Sequence, residues 1–561
     1  LLWLYDLAAG GHRALNSDAA EVAHEFGGTP VRWSADGSAI ATKVQDADDV
    51  MGLAAFAPDQ EGPIWQRVPD VTAGRLVHAF DWVGDDRLVY AEDTVEGHER
   101  VYRVADITTA APGTALLSER EEPMLGRDRP IGSDDGRFAV LSGRTGFHHV
   151  YVVDVAERRS AVDSARPGFT GPGVVQVTAG EFEARGDARD VPAWGPDGRR
   201  LAFVTNERDP GERHVRIVEL DGLTVVARVA LDELAGNAVQ PTWLDASRLG
   251  FVRSGRTTPA DVFVADIENA AVRRISAAHP DPAAFEDFPE PEPISFEGRG
   301  GLEIAGYLYA PPEAEPGEDR PAVVWAHGGP MRQMRRGFHH MQSYAGFYAF
   351  NHVLLNEGYV VLAVNYRGGI GYGRAFEHGL QDAIGVDEVD DCVRAAEWLR
   401  QDSRVGDRVG LWGLSYGGFL ANAVATKTEA FDAVVNFAGI WDWRAWVQWS
   451  AEDYRGAARG FEARFGGAPG ADDPAVAAAY DRASPSEFAD GLNAPLFALH
   501  GSGDPIVPFD QMDSLVDDLV ELGADFEMAY YPEEDHMFQA PATWTDALSR
   551  VLAFLEAHLR S

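Results

Sequence analysis

The chain of 561 residues has a single cysteine and no long apolar run. One cysteine, Cys392, excludes an intrachain disulfide, and its helix-like surroundings predict a packed core residue. No apolar stretch approaches the ~20 residues that cross a bilayer, so we expect no membrane span and no membrane partner. Histidine, cysteine and carboxylate residues do not recur at metal-ligand spacings, so we predict no metal site, and no motif indicates a cofactor.

Positive charge is also scarce. The only lysines are Lys43 and Lys427, and 48 basic residues against 89 acidic ones give a formal net charge of −41. Such a surface repels nucleic acid and anionic lipid, which excludes both as partners. Salt near 1 M shortens the Debye length to about 3 Å and screens this repulsion, so we expect a halophilic protein. The alternative is an ordinary acidic protein.

The chain begins at Leu1 rather than at a methionine, and it contains no visible signal peptide. We therefore expect a cytoplasmic protein, although missing N-terminal sequence could hide a signal peptide. The sequence does not fix the oligomeric state, and a homo-oligomer is compatible with it.

A candidate nucleophile stands in the motif Gly413-Leu414-Ser415-Tyr416-Gly417. An apolar, strand-like run precedes it and a helix-like run follows it, which is the context of a nucleophile elbow. Glycine at both ends of the motif would let the strand and the helix approach without a Cβ clash. In a chain with 59 glycines, the alternative is a simple Gly-rich turn.

A serine nucleophile needs a base and an acid that orients the base, in the chain order Ser, Asp or Glu, His. Asp504 and His536 satisfy this order, and each lies on a loop directly after a strand-like run. The neighbouring acids Glu534 and Asp535 are poorer partners for His536, since an acid adjacent in sequence rarely points at its neighbour's imidazole. The alternatives are a turn-capping aspartate and a solvated surface histidine.

The oxyanion hole is predicted from a second Gly-rich loop, His327-Gly328-Gly329-Pro330, which follows the strand-like run 322–326. Backbone N–H groups in such a loop can face a developing oxyanion. We expect the donors to be the N–H groups of Gly329 and of Tyr416, the residue after the nucleophile. A plain Gly-Gly-Pro turn is the alternative.

The front part of the chain, residues 1–280, contains an internal repeat. Turn sequences start at residues 34, 83, 133, 195 and 244, each follows a tryptophan or a small residue, and each precedes an apolar strand. Strand-rich units near this period predict a β-propeller of about six visible blades, the first incomplete at the N-terminus. A β-sandwich with chance turn spacing is the alternative.

The Pro- and acid-rich stretch 281–293 has no strand or helix periodicity and is predicted to be a linker. In residues 294–561 strand-like runs alternate with helix-like ones. This alternation predicts an α/β-hydrolase fold with a mainly parallel sheet flanked by helices.

Taken in order, these motifs resemble the prolyl oligopeptidase family of serine peptidases over roughly residues 295–560. The resemblance rests on His327-Gly-Gly-Pro330, Val364–Gly369 with Gly371-Tyr-Gly373, Trp412–Gly418, Ala483-Ser-Pro485, Leu499-His-Gly501 with Asp504 and Val507-Pro508, and Tyr531–Glu533 with His536. It implies a propeller ahead of the hydrolase domain, in agreement with the repeat.

The His-Gly-Gly-Pro version resembles the acylaminoacyl-peptidase branch of that family. Prolyl oligopeptidase and dipeptidyl peptidase IV carry, at the position of His327, a tyrosine whose hydroxyl serves the oxyanion hole. No acidic segment resembles the one with which dipeptidyl peptidase IV holds a free N-terminus, and the only double glutamate in the front half is Glu121-Glu122.

We therefore expect a serine peptidase that acts on short peptides, with the propeller as a size filter. An esterase of the same fold is the first alternative, and a propeller interaction module on an inactive hydrolase is the second. Trp441, Trp443 and Trp446 are candidates for lining the substrate pocket, with core packing as the alternative.

Overall fold

The structure is a computed structural model, and it divides into two compact units. It describes residues 3–5, 12–15, 21–22, 31–45, 51–60, 62–67, 75–94, 98–109, 111, 113–120, 129–161, 168–187, 190–231, 236–269, 271–279, 281–453 and 455–560. The second unit consists of Ser276–Ser561 with two short excursions of the preceding chain, Ala235–Asn237 and Arg253–Asp261. The pair Glu121-Glu122 lies outside the described residues.

The first unit is built almost entirely of short β-strands with one helix. Its elements are β1 (Trp3–Tyr5), β2 (His12–Ala14), β3 (Glu21–Val22), β4 (Val31–Trp33), β5 (Ile40–Gln45), β6 (Met51–Phe56), β7 (Pro63–Arg67), β8 (Arg75–Trp82), β9 (Arg87–Thr94), β10 (Glu99–Asp106), β11 (Thr114–Arg120), β12 (Ile131–Gly132), β13 (Arg137–Ser142), β14 (His149–Asp154), α1 (Val155–Ala161), β15 (Val174–Gln176), β16 (Ala193–Trp194), β17 (Arg200–Thr205), β18 (His214–Asp221), β19 (Thr224–Ala230), β20 (Asn237–Trp243), β21 (Arg248–Ser254), β22 (Asp261–Asp266) and β23 (Ala271–Arg274).

These strands form consecutive sheets in chain order. The sets β8–β11, β12–β15, β16–β19 and β20–β23 each make a four-stranded sheet, β3–β7 make a five-stranded one, and β1 pairs with β2. The five repeated turns each connect two successive strands of one sheet, for example β8 to β9 and β16 to β17. Consecutive four-stranded sheets of this kind are the blades of a β-propeller, so the predicted architecture is confirmed.

Tryptophans of the repeat join neighbouring blades. The indole N–H donates to a backbone carbonyl of the preceding blade in three pairs: Trp82 to Arg32 at 2.9 Å, Trp194 to Ile131 at 3.1 Å and Trp243 to Ala193 at 2.9 Å. In the blade β12–β15 the corresponding position is Gly132, where an added Cβ would lie 1.6 Å from the carbonyl oxygen of Trp82. This explains why a small residue replaces tryptophan in that one repeat.

The second unit contains one large sheet and most of the helices. Its elements are β24 (Glu292–Glu297), β25 (Glu303–Tyr309), β26 (Arg320–Ala326), α2 (Gln342–Asn356), β27 (Val360–Asn365), α3 (Arg374–Glu377), α4 (Asp387–Leu399), β28 (Val405–Leu414), α5 (Tyr416–Lys427), β29 (Ala433–Phe437), α6 (Trp443–Asp453), α7 (Arg455–Phe465), α8 (Pro474–Ala483), β30 (Leu496–Gly501), α9 (Asp510–Leu522), β31 (Phe526–Tyr531) and α10 (Pro541–Leu559), with 3-10 turns at Pro282–Phe285, Arg299–Gly301 and Pro485–Gly491.

The strand order is β24-β25-β27-β26-β28-β29-β30-β31, with the first two strands antiparallel to their neighbours and the pairs from β27 onward parallel. The parallel strands read as continuous apolar runs because both faces of the sheet are covered. Val324 packs into the cluster with α4 and α5, while its neighbours Val323 and Trp325 pack into the opposite cluster with α2 and α10. This is the predicted α/β-hydrolase fold.

The stretch predicted as a linker differs from the expectation. Phe285 and Phe288 pack against the core of the second unit, with ring centroids 4.9 Å from Phe338 and 3.6 Å from His352, respectively. The proline and acid content of residues 281–293 concealed these two aromatic anchors, and β24 already begins at Glu292.

The longest helix in the described part of the chain, α10, has 19 residues, and no described helix combines the length and hydropathy needed to span a bilayer.

Candidate active site

Ser415 lies in the turn between β28 and α5. Its φ of 64° and ψ of −120° are unusual for a residue with a side chain, because a positive φ brings Cβ close to the backbone. The Ser415 N–H donates to the carbonyl of Phe437 at the end of β29 at 2.8 Å, and its carbonyl accepts from Phe419 in α5 at 2.8 Å. The turn is therefore held from the sheet and from the helix, as in a nucleophile elbow.

The glycines beside the turn are required by close packing. A Cβ at Gly417 would lie 2.1 Å from the carbonyl oxygen of Ala326, and one at Gly413 would lie 2.4 Å from the carbonyl oxygen of Gly417. Both distances are far below van der Waals contact. The helix that follows Ser415 thus passes directly over the end of β26, which brings the serine next to the loop after that strand.

Asp504 and His536 follow β30 and β31, at the same sheet edge as Ser415. Asp504 Oδ2 lies 2.6 Å from His536 Nδ1, a short charge-assisted hydrogen bond. Asp504 Oδ1 accepts from the N–H groups of Ile506 at 2.8 Å and Val507 at 2.9 Å. The carboxylate is fully buried and its orientation is fixed on both oxygens.

The electrostatics of Asp504 favour its charged form. Burial alone raises the pKa of Asp504, but the positive charge of His536 and the hydrogen bonds from His500 and His536 outweigh burial and hold the pKa well below the ordinary 3.8. A carboxylate that stays ionised beside Nδ1 fixes the His536 tautomer, so Nε2 is left free to accept a proton.

The loop His327–Pro330 lies beside the nucleophile. A Cβ at Gly328 would lie 3.0 Å from Ser415 Cβ. The Gly328 N–H donates to Tyr344 Oη at 3.0 Å, so it is already used, and the next N–H in the loop is that of Gly329. Tyr416 is the first residue of α5, where backbone N–H groups have no intrahelical partner.

Two parts of the chain match models of known protein families. Residues 346–561 match the family model described as the prolyl oligopeptidase family, and residues 57–238 match that of the dipeptidyl peptidase IV N-terminal region. The second unit therefore contains a domain of the prolyl oligopeptidase family. The two matched ranges fall in the hydrolase unit and in the propeller, respectively.

Curated proteins with several different names are similar to this chain. It is 25% identical over 448 residues to human dipeptidyl peptidase 8, covering 74% of this chain and 46% of that protein. It is 27% identical over 281 residues to the pig acylamino-acid-releasing enzyme, covering 49% of this chain and 36% of that protein. The chain spans about half the length of curated relatives that it matches.

A similar fold occurs in the solved structure of a puromycin-hydrolyzing peptidase from Mycobacterium tuberculosis. The TM-score is 0.76 at 22% sequence identity, over 94% of this chain and 78% of the other. At this level of identity the likeness establishes the fold alone.

His327, the residue that the sequence comparison placed at the position of a tyrosine, is buried in the core. Its ring stacks on Tyr366 with centroids 4.3 Å apart, and Nδ1 lies 2.9 Å from the Gly328 carbonyl oxygen. Burial lowers the pKa of His327 to about 3, so the imidazole is neutral. It braces the loop and does not take the place of a tyrosine hydroxyl.

The three tryptophans predicted as candidates for the substrate pocket are core residues. Trp441 and Trp443 have no exposed surface and Trp446 is 3% exposed. Trp441 Nε1 donates to Asp518 at 2.7 Å, and Trp446 Nε1 donates to the Ile506 carbonyl at 2.9 Å. A fully buried ring cannot contact a substrate, so the structure favours the core-packing alternative.

Sequence reasoning missed His500, the penultimate residue of β30. Its Nε2 lies 3.2 Å from Asp504 Oδ2 and 2.9 Å from the Val507 carbonyl oxygen. Because both neighbours accept hydrogen bonds, Nε2 carries the proton and donates. The motif Leu499-His-Gly501 contained this residue, but its strand position indicated only packing.

The two acids next to His536 have other partners. Glu534 accepts from the Gln539 N–H and from Thr543 Oγ1, both at 2.6 Å, and Asp535 accepts from Gln539 Nε2 at 3.3 Å. In the described part of the chain, the carboxylate hydrogen-bonded to the His536 ring is that of Asp504.

Proposed function

We propose that this protein is a serine peptidase that cleaves short peptides through Ser415, His536 and Asp504. The observation that carries the proposal is the buried, short Asp504–His536 bond at the sheet edge that also presents the Ser415 elbow. An imidazole oriented in this way serves as a general base, and a serine at an elbow serves as a nucleophile.

In the acylation step, Ser415 Oγ attacks the substrate carbonyl while His536 Nε2 takes the hydroxyl proton. The carbonyl oxygen becomes an oxyanion that accepts hydrogen bonds from the N–H groups of Gly329 and Tyr416. The C–N bond then breaks as His536 gives its proton to the leaving amine, which leaves an acyl ester on Ser415.

In the deacylation step, His536 takes a proton from water and the resulting hydroxide attacks the acyl ester. The tetrahedral intermediate forms at the same oxyanion donors. Its collapse breaks the bond to Ser415 Oγ, which recovers its proton from His536 and releases the carboxylic acid product.

We further propose that a blocked N-terminus is tolerated, as in the acylaminoacyl-peptidase branch. The His327-Gly-Gly-Pro loop and the relationship to the pig acylamino-acid-releasing enzyme support this assignment. Dipeptidyl peptidase activity is the competing assignment, and the relationship to human dipeptidyl peptidase 8 supports it. The propeller is proposed to restrict entry to short, extended substrates.

One set of assays tests these proposals. A fluorophosphonate probe should label the wild type and fail to label Ser415→Ala, whose kcat should fall by about 10⁶. One peptide, prepared with an acetylated N-terminus and with a free N-terminus, should be cleaved in both forms. The rate of hydrolysis of an ester analogue, compared with that of the peptide, separates esterase from peptidase activity. Labelling that persists in Ser415→Ala refutes the nucleophile, and rapid casein digestion refutes the size filter. Strict dependence on the free amine assigns the chain to the dipeptidyl class.

We also propose that the protein is adapted to high salt. The net charge of −41 and the presence of only two lysines support this proposal. One of the two, Lys427, is used structurally, since its ammonium donates to the carbonyl of Arg482 at 2.7 Å.

A further inference from the structure

The side chain of Tyr416, the residue after the nucleophile, is anchored to a buried carboxyl group. Tyr416 Oη donates to Glu388 Oε1 at 2.8 Å. Tyr416 is 2% exposed and Glu388 is fully buried. The bond connects the first turn of α4 to the first turn of α5, and α5 begins at the proposed oxyanion donor.

Glu388 has an unusual environment for a carboxyl group. Its Oε1 also accepts from the Gly385 N–H at 2.7 Å, whereas Oε2 is buried with no hydrogen-bond partner among the described residues. A half-satisfied buried carboxyl group costs folding free energy that an apolar side chain of similar size would avoid. Fold stability therefore does not account for a glutamate at this position.

The ring of Tyr416 contacts four aromatic rings. Its ring stacks on Tyr366 with centroids 6.0 Å apart and meets Phe419 at 5.0 Å, Trp443 at 5.8 Å and Phe461 at 6.3 Å. Ring contacts confine the side chain but allow small rotations and shifts. The hydroxyl bond to Glu388 is the directional contact that fixes the ring, and with it the Tyr416 peptide.

We propose that Glu388 is a positioning residue for the oxyanion hole: through the Tyr416 hydroxyl it holds the peptide after Ser415 so that the Tyr416 N–H points at the developing oxyanion. The proposal rests on the proposed function, because it requires an oxyanion at Ser415. An N–H donor that is misplaced by a fraction of an ångström loses much of its value in the transition state, where such donors act.

The acceptor oxygen of Glu388 matters here, and its charge does not. Burial, together with the smaller effect of nearby Asp391 on the same helix, raises the pKa of Glu388 to about 7. On α5, Lys427 directs its ammonium at backbone carbonyls, including that of Gly385 at 3.3 Å. Arg367, on the loop after β27, is bound to Asp391. A glutamine should therefore replace Glu388, since it keeps the oxygen that accepts from Tyr416.

The test compares rates of fluorophosphonate labelling, which needs the oxyanion hole but no particular peptide. Tyr416→Phe and Glu388→Met should each slow labelling about tenfold. The double variant should also be about tenfold slower, because both changes delete the same bond. Glu388→Gln should recover a rate within about threefold of wild type. For peptide hydrolysis the loss should fall on kcat, with KM nearly unchanged.

Tyr480→Phe is the matched control. It deletes a buried tyrosine hydrogen bond in the same core, from Tyr480 Oη to the Gly467 carbonyl at 3.0 Å, without touching Tyr416. Its labelling rate should equal that of wild type.

The outcomes are separable. Wild-type labelling in Tyr416→Phe, or a double variant about a hundredfold slower, overturns the positioning role. If Glu388→Met does not fold, Tyr416→Phe still tests the proposal, because it removes only the hydroxyl oxygen that bonds to Glu388. An unlabelled wild type refutes the proposed function instead.

Discussion

Two buried carboxyl groups flank the candidate site and behave in opposite ways. Asp504, on the loop after β30, accepts hydrogen bonds on both oxygens, and its pKa is held below the ordinary value. Glu388, at the start of α4, accepts both of its bonds on a single oxygen, and burial raises its pKa to about 7. Burial acts in the same direction on both groups.

The difference lies in the donors that each loop supplies. Asp504 is surrounded by two backbone N–H groups and two imidazoles, which together replace the lost hydration of a carboxylate. Glu388 accepts hydrogen bonds from only two groups described above, the Gly385 N–H and the Tyr416 hydroxyl. Thus the same chemical group is held as a charge beside His536 in one place and, below a pH of about 7, as an uncharged acceptor for the Tyr416 hydroxyl in the other.

Removing the charge at Asp504 should have the largest effect. Asp504→Asn should lower kcat by about 10⁴, because an amide no longer holds the required His536 tautomer. Asp535→Asn is the matched control and should change kcat by less than about threefold, since Asp535 is partly exposed and bonded to Gln539. Steady-state kinetics on one chromogenic peptide measures both. If Asp535→Asn were the damaging change, the triad would be misassigned.

Removing the charge at Glu388 should instead stabilise the fold above neutral pH. With a folded pKa of about 7 and an unfolded pKa of 4.5, the folded state retains the proton between these values while the unfolded state releases it. The stability contributed by the protonated group is complete below pH 4.5 and is lost as pH rises through 7.

Relative to Glu388→Gln, the wild type should therefore lose roughly 3 kcal/mol between pH 4.5 and pH 8. Urea denaturation of both proteins at these two pH values measures the difference. A difference that does not depend on pH would mean that Glu388 is not protonated in the folded state at pH 4.5–7. The corresponding dependence for Asp504 has the opposite sign, with stability lost as pH falls.

Removing one hydrogen-bond donor from Asp504 should leave its charged form less stabilised, as at Glu388. His500→Phe deletes the bond from Nε2 to Asp504 and keeps a ring against Phe509. We expect kcat to fall about tenfold, the scale of one lost hydrogen bond to a charged group, with KM little changed. The midpoint of acid unfolding should move to higher pH. Unchanged kcat together with an unchanged acid midpoint would assign His500 to packing alone.

Salt should separate exposed charge from buried charge. The melting temperature of the wild type should rise by several degrees from ~0.1 M to ~2 M KCl, because screening weakens repulsion among surface acids. The difference between wild type and Glu388→Gln should stay nearly constant, since a buried group is hardly screened. A flat or falling melting curve would exclude halophilic adaptation.

Much of this architecture was predictable from the chain. The repeat period gave the blades, and the strand, turn and loop order placed Ser415, Asp504 and His536 at one sheet edge, because parallel strands bring their carboxyl ends together. Residues whose role depends on long-range contact were not predictable. His500 and Glu388 lie inside regular elements, where sequence pattern indicates only packing.

The errors have the same origin. The three tryptophans after β29 could line a pocket or fill a core, and local sequence does not distinguish the two. The composition of the stretch 281–293 indicated a linker, but its two phenylalanines pack against the core of the second unit. In both cases the partner surface comes from distant parts of the chain.

The indole bonds between blades have a consequence for how the propeller can change over time. Their acceptors are backbone carbonyls of Arg32, Ile131 and Ala193, three chemically unrelated residues. A substitution at the accepting residue does not remove its backbone carbonyl. The sequence of each blade can therefore change while the hydrogen bond from the next blade is retained. A blade can also be duplicated without loss of this hydrogen bond. The duplicated blade contains its own tryptophan donor, and the preceding blade supplies a backbone carbonyl as the acceptor.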